Sequence, residues 1–545
     1  MPVDPPPTSP LAPSRAQRCA LAARRGDARA STAPGRPATN GRFNWLPIVL
    51  LLAACGGEGR STAPAERAAP AEAAAGSGPD VFLISVDTLR ADRLGCYGYR
   101  ERPTSPHIDA LAADGVLFED VVAASSWTTP AHATMLTGRR PSTHGVTMAF
   151  FELKRDLTGG GRYARIPPAH ATLAERLAAA GYRTGAFTAG GTLHPDIGFG
   201  RGYERYGTSM HKLDAGNVGE LLAWIDAHPR PAHLFWHSFE VHAPYLRAAL
   251  LEAGGGVDRA DVDAIRTGLA RLRHLPGEYV AMGRRPQAQR RGQRDLLAER
   301  DAFDAEVCEQ LYLSGVRSFD RWLGRFVDHL KRAGRYEGAL VVLTSDHGEE
   351  FAEHDPERFY DAHGHSLYQE VVRVPLIVKL PGRERAGTRV RALARTVDVM
   401  PTILDTAGVA DPADLDGASL RPLWEGQTAG ERIAVAEGLA TAEEKKALRR
   451  GRYKYIVTVG ADQVAARGRA QLGDPPAREE LYDLEADPHE RRNLIAAPSK
   501  AARETARALR RLLAERVGAA AGAPRGSVPL SPETVQRLEA LGYAR

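Results

Sequence analysis

Cysteine is nearly missing: Cys19, Cys55, Cys96 and Cys308 are the only four in 545 residues, and no two are spaced Cys-x-x-Cys. Thiolate zinc sites are therefore not expected, and beyond residue 55 only Cys96 and Cys308 remain to pair. Long hydrophobic runs are missing too. The apolar stretch from Phe43 to Leu52 is about half of the ~20 residues a membrane-spanning helix needs. A charge excess is missing once the start of the chain is set aside. Of 72 basic and 67 acidic residues, residues 1–55 hold seven Arg and two Asp, which leaves 65 of each sign downstream. A balanced chain has no general field to draw in a polyanion, so no nucleic-acid partner is expected. The Arg-rich run Arg284–Arg294 reads as a solvated loop. No repeat of 20–50 residues is visible, which removes solenoids and propellers.

The first segment has its own logic. Residues 1–42 are rich in Pro, Ala and Arg. Arg42 then precedes the short apolar stretch and Leu52-Ala53-Ala54-Cys55-Gly56. A charged region, a short apolar region and small residues read as an export leader. Its end resembles a bacterial lipobox, which makes Cys55 the expected lipidation site. The protein is then expected to be exported and held to the bacterial membrane by an N-terminal lipid anchor, facing the periplasm or the cell surface. Other readings are an ordinary signal peptide or a buried apolar segment. Residues 56–79, built from Ala, Pro, Gly and Ser, read as a flexible linker.

Order is expected from Asp80 onward. Val81-Phe82-Leu83-Ile84-Ser85-Val86 is apolar on both alternations, as in a strand buried on two faces. Helical stretches near 108–115, 134–137, 171–180 and 218–227 alternate with strand-like runs at 184–189, 233–237, 339–344 and 375–380. This rhythm predicts an α/β fold, a mostly parallel sheet sandwiched by helices. Asp87, His237 and Asp346 follow strand ends, where open parallel sheets bind ligands. Residues 80–383 are expected to form the main catalytic domain, with residues 246–300 as an insertion near the rim of the site. Residues 384–545 would complete that domain and add a smaller C-terminal α+β subdomain and a terminal helix at Leu530–Tyr543.

Several motifs carry a family resemblance. Ser126-Trp127-Thr128-Thr129-Pro130-Ala131-His132, followed by Leu136-Thr137-Gly138, resembles the sulfatase signature C/S-x-P-x-R. Thr396–Leu404 is similar to the Asp-x-x-Pro-Thr-Ile-Leu helix of sulfatases. Gly451–Tyr455 and Glu480–Pro488 resemble their C-terminal subdomain. The resemblance covers about residues 80–515 and implies the sulfatase-like family of the alkaline phosphatase superfamily. Sulfatases oxidise the signature Cys or Ser to formylglycine. Thr128 occupies that position here and His132 replaces the arginine, so no formylglycine is expected. The lysine that sulfatases carry after their Gly-Tyr-x-Thr helix is absent as well, leaving Arg90, Arg139 or Arg183 as substitute cations.

The resemblance and the residues together point to one site. Asp87 and the Asp346-His347 pair, with the Thr128 hydroxyl, form an O/O/O/N donor set for a divalent metal ion. The imidazole favours zinc or manganese over calcium, which stays possible. Trp236–Tyr245 resembles the His-x-x-x-x-His-x-Pro run of phosphoethanolamine transferases, and Ala362–Glu370 resembles the helix start that sulfatases precede with a Lys or His. His242 and His363 are therefore expected beside Thr128 as catalytic groups, with His365 as the alternative to His363. Arg90, His132, His237 and His365 are expected to bind substrate. The reading is a metal-dependent ester hydrolase with a metal-activated Thr128 nucleophile. Its substrate would be a small-molecule, glycan or lipid ester of sulfate or phosphate. The alternatives are a phosphoethanolamine-type transferase and a non-catalytic surface protein of the same fold.

Overall fold

The computed structural model describes residues 78–146, 162–209, 214–243, 294–354 and 363–529, apart from 413, 428–429, 439–442, 463–471, 473–475 and 519–525. These residues all belong to the compact unit Pro70–Arg545. Cys55, nearly all of the linker, residues 246–293 of the expected insertion and the Leu530–Tyr543 segment lie outside the described residues. Residues 294–300 open a long helix, Arg294–Arg332. No helix among the described residues is long and apolar enough to cross a membrane.

An eight-stranded sheet forms the centre. Its spatial order is Thr388–Val390, Val116–Phe118, Leu376–Lys379, Leu340–Thr344, Val81–Val86, Ala232–Ser238, Arg183–Ala189 and Arg205–Ser209. Leu376–Lys379 pairs antiparallel with both neighbours, and the remaining pairings are parallel. The sheet is thus mostly parallel, as expected.

Helices cover both faces, which explains the unbroken apolar run of the first strand. Val81 and Leu83 join a core with Ala133, Met135 and Leu136 of the helix Thr128–Thr137 and with Met400, Ile403 and Leu404 of the helix Val399–Ala407. Phe82, Ile84 and Val86 face the opposite core, against Tyr312, Val316, Phe319, Leu323, Phe326 and Leu330 of the long helix. These apolar positions are spaced alternately by four and three, the stripe that a core-facing helix requires.

A second, antiparallel sheet of four strands follows: Ile433–Gly438, Glu444–Arg450, Tyr453–Val459 and Arg478–Asp483. The helix Lys500–Gly518 packs Ala506, Leu509 and Leu513 on one of its faces. This is a smaller α+β layer in the C-terminal part.

Strand register sets up the site. Ser85 lies opposite both His237 and Thr344. Side chains alternate along a strand, so Ser85 and Asp87 share a face, as do Thr344 and Asp346. Continuing the register by two residues brings Asp87 alongside Asp346, just past the carboxyl ends of the two central strands.

Candidate active site

Thr128 is the first residue of its helix, and Trp127 before it is extended. Pro130 falls in the first turn, where its missing N–H removes no helical bond. Gly138 ends the helix in the left-handed region, at φ 65°. The free N–H groups and positive dipole end of this helix therefore lie at Thr128, a setting that favours negative charge.

Four donor atoms converge there. Thr128 Oγ1 is 3.4 Å from Asp87 Oδ2 and 3.4 Å from His347 Nε2. His347 Nε2 is 3.4 Å from Asp346 Oδ2 and 3.8 Å from Asp87 Oδ1. All four residues are buried. The two carboxylates and the imidazole lie close enough together to hold one metal ion. Asp346 Oδ1 accepts the backbone N–H of His347 at 2.9 Å and of Thr88 at 3.3 Å. Its Oδ2 has no hydrogen-bond partner. A buried carboxylate oxygen without a donor is costly, and an ion is the natural remedy. The spacings fit: donors at about 2.1 Å from a tetrahedral centre stand about 3.4 Å apart.

The turn after the first strand is tied to the Asp346 loop. Ser345 Oγ donates to the Val86 carbonyl at 2.6 Å and accepts the Leu89 N–H at 3.0 Å. Gly348 serves here by close approach, since a Cβ at this position would lie 2.1 Å from the Glu370 carbonyl oxygen.

Of the expected catalytic histidines, His363 packs directly on the cluster and His242 packs on His363. The His363 ring centroid is 4.7 Å from that of His347 and 5.0 Å from that of His242. His242 stacks on Phe239 at 4.0 Å, and its Nδ1–H donates to the Ala243 carbonyl at 2.6 Å. Burial disfavours the charged form of His363, but the Glu349 carboxylate outweighs it and holds the pKa above the ordinary histidine value. The alternative, His365, is turned aside, with Nε2 3.5 Å from Glu350 Oε2. His363 is the member that faces the cluster.

The expected substrate-binding residues are placed differently. His132 has both ring nitrogens engaged: Nδ1–H donates to the Thr128 carbonyl and Nε2 accepts from Ser85 Oγ, each at 2.9 Å. Burial pushes its pKa down to about 3, so the ring is neutral. It braces the first turn of the helix Thr128–Thr137 with both ring nitrogens. His237 stands behind Asp87, with Nε2 3.3 Å from Oδ2, and burial lowers its pKa to about 4. Arg90 is buried, and its guanidinium binds Asp92, Glu353 and the Glu349 carbonyl. Arg139 pairs with Asp414 and Arg183 with Glu204. Each of these cations is paired with a carboxylate, for Arg90 the nearby Asp92 and the distant Glu353, and for Arg139 and Arg183 a carboxylate distant in sequence.

Two residues escape the sequence reading. Glu349 Oε1 lies 2.6 Å from His363 Nδ1, and Trp127 stacks on the His363 ring at 5.9 Å. The available signal is positional: both adjoin motif residues, Glu349 two places after His347 and Trp127 one before Thr128.

The family model described as Sulfatase matches residues 79–409. The chain is similar to human arylsulfatase A, at 29% identity over 80% of this chain and 87% of that one. It is also similar to an N-acetylglucosamine-6-O-sulfatase of Bacteroides thetaiotaomicron, at 32% identity over 34% of this chain and 31% of that one. Among solved structures, the phosphonate monoester hydrolase of Agrobacterium radiobacter superposes with TM-score 0.58 at 22% identity, covering 83% of this chain and 100% of that one. A structure in complex with its substrate D-glucosamine-2-N,6-O-disulfate superposes with TM-score 0.60 at 20% identity, covering 81% and 98%. At these identities the structural likeness speaks for the fold.

Proposed function

Because the chain belongs to the sulfatase family and is an ester hydrolase, we propose that it cleaves sulfate or phosphate esters through direct attack by the Thr128 hydroxyl. The observation carrying this reading is the position of Thr128 Oγ1, 3.4 Å from both Asp87 and His347 at the start of a buried helix. Asp87, Thr128, Asp346 and His347 are the residues that would hold a divalent ion, zinc or manganese ahead of calcium because of the imidazole. Such an ion lowers the pKa of a bound hydroxyl and neutralises charge on the transferring group.

The residues of the chain supply the rest. The helix N-terminus favours the alkoxide form of Thr128. His132 fixes the carbonyl of Thr128, and His237 orients Asp87 from behind. In the first step Oγ1 bonds to sulfur or phosphorus as the leaving alcohol departs, which esterifies Thr128. Water must then cleave this ester, because threonine lacks the aldehyde through which a formylglycine hydrate expels its sulfate. His242 and His363 are the groups next to the cluster that can serve that step.

The test is a panel of nitrophenyl sulfate, phosphate monoester, phosphate diester and phosphonate monoester, assayed on wild type and Thr128→Ala. At least one ester is expected to turn over, and Thr128→Ala to abolish that turnover with the fold intact. Turnover surviving in Thr128→Ala would overturn the assigned nucleophile. The leader supports export and lipid attachment at Cys55. Labelled palmitate should enter the wild type and not Cys55→Ala.

A further inference from the structure

Glu349, the carboxylate two residues after His347, has no role in the reaction as set out so far. It is fully buried, and its Oε1 is 2.6 Å from Nδ1 of His363. A carboxylate accepts, so Nδ1 carries the hydrogen of this bond and Nε2 is the nitrogen left to exchange a proton. The ring is confined by Trp127 at 5.9 Å, His347 at 4.7 Å and His242 at 5.0 Å. Among the described residues no hydrogen bond occupies Nε2. A confined imidazole with one nitrogen tied to a carboxylate and the other open, packed on the His347 ring that lies 3.4 Å from the Thr128 hydroxyl, is an arrangement suited to moving protons in a hydrolase.

We propose that Glu349 is a positioning residue that fixes His363 so that Nε2 receives the proton of the water that cleaves the Thr128 ester. The proposal rests on the Thr128 reading above. In this step the water oxygen bonds to sulfur or phosphorus as the bond to Thr128 Oγ1 breaks. The proton of the water passes to Nε2, the departing Oγ1 takes up a proton from solvent, and Nε2 returns its own to solvent. One water is consumed, threonine is restored, the acid is released, and nothing is oxidised or reduced. A carboxylate that merely packed the His363 segment would affect both halves of the reaction alike. A positioning carboxylate of this kind acts on the second half.

Rapid mixing with the nitrophenyl ester that the wild type turns over best separates the two. Glu349→Ala is expected to keep a nitrophenolate burst of roughly one equivalent at an unchanged first-turnover rate. Steady-state turnover should fall on the order of 10–100-fold, the usual loss on removing an orienting carboxylate, and KM should fall with it. Mass spectrometry should find the sulfo or phospho group accumulating on the Thr128 peptide. Glu349→Gln, nearly the same shape and able to accept from Nδ1–H through its amide oxygen, should recover part of the loss. Equal slowing of burst and steady state, wild-type turnover in Glu349→Ala, or no adduct on Thr128 would each overturn the role of Glu349. Thr128→Ala run beside it keeps the two readings apart: if that variant is dead, such failures fall on Glu349 alone, and if it stays active, the nucleophile itself is wrong.

Discussion

At the scale of single residues, Asp346 divides its two oxygens between structure and chemistry. Oδ1 secures two backbone N–H groups, and Oδ2 is left facing the cluster without a donor. Asp346→Asn keeps an oxygen for the backbone and removes the charge. Bound zinc or manganese, measured by elemental analysis, is expected to fall to background. Turnover should drop by about two to three orders of magnitude, the equivalent of several kcal/mol of lost charge stabilisation, with the far-UV spectrum unchanged. Full metal content in this variant would refute the ligand assignment. A second prediction concerns buried histidines away from the cluster. Burial pushes His144 down to about 3 and His233 to about 4. His144 is bonded to Thr134 Oγ1 at 3.0 Å and His233 to the Val81 carbonyl at 3.2 Å. Both stay neutral when folded but take up a proton near pH 6.5 when unfolded. Their contribution to stability is therefore complete above about pH 6.5 and is lost as the pH falls towards 4. Urea midpoints should fall over that window, by up to about 1.4 kcal/mol per pH unit per histidine, and more shallowly in His233→Phe. A parallel pH dependence in that variant would remove His233 from the account. At this scale the sequence was legible where a motif meets a strand end, as at Asp87, Asp346 and His347, or a helix start, as at Thr128. It was opaque where a side chain's bonding capacity is already spent. Ser85 and the Thr128 carbonyl saturate His132, and a sequence gives no sign of that.

At the scale of elements, the long helix Arg294–Arg332 reaches the site through one side chain. Tyr312 Oη donates to the Thr88 carbonyl and accepts the Arg90 N–H, each at 2.8 Å. Between these bonds Thr88 sits at φ 63°, a left-handed conformation that a β-branched residue adopts only under constraint. The tyrosine thus clamps the turn that aims Asp87. Tyr312→Phe leaves two buried backbone groups unsatisfied and should cost about 1–3 kcal/mol in urea unfolding. Metal affinity should weaken as Asp87 loosens, and adding Thr88→Gly should return part of the stability by relieving the strain. An unchanged unfolding midpoint in Tyr312→Phe would remove the clamp from the account. The helix itself was missed in the sequence because its charged residues obscure the stripe Tyr312, Val316, Phe319, Leu323, Phe326 and Leu330, whose four-three spacing was there to be read. Edge strands such as Arg205–Ser209 escaped for the opposite reason. The five residues of this strand lack an apolar alternation, because only Tyr206 packs on the core, and the run takes its register from the neighbour Gly185–Ala189.

At the scale of the whole molecule, the two sheets meet on the segment that leads into Thr128. The Ala124 carbonyl accepts the Glu437 N–H at 2.9 Å, and Ser125 Oγ donates to the Glu437 carbonyl at 2.8 Å. On the other side, the Ala124 N–H donates to Thr396 Oγ1 at 3.0 Å. The chain just before Thr128 is therefore held between the Ile433–Gly438 strand and the turn Thr396–Asp398 that leads into the 399–407 helix. The side chain of Glu437 is fully buried, accepts the Ser142 N–H at 2.9 Å and pairs with Lys446 Nζ at 2.7 Å. Burial opposes the charged form of Glu437, and Lys446 more than offsets it, so the pKa lies below the usual glutamate value. Removing one partner of such a pair leaves a buried charge uncompensated. Lys446→Met is therefore expected to cost about 3–5 kcal/mol, and Lys446→Met with Glu437→Gln clearly less, because no net charge stays behind. If the smaller sheet supports catalysis through this seam, Lys446→Met should also lower turnover at temperatures where the protein remains folded, and the double variant should restore much of it. Stability lost and regained with turnover unmoved would limit the second sheet to holding the fold, and would leave the aim of Thr128 to its helix and to His132 alone.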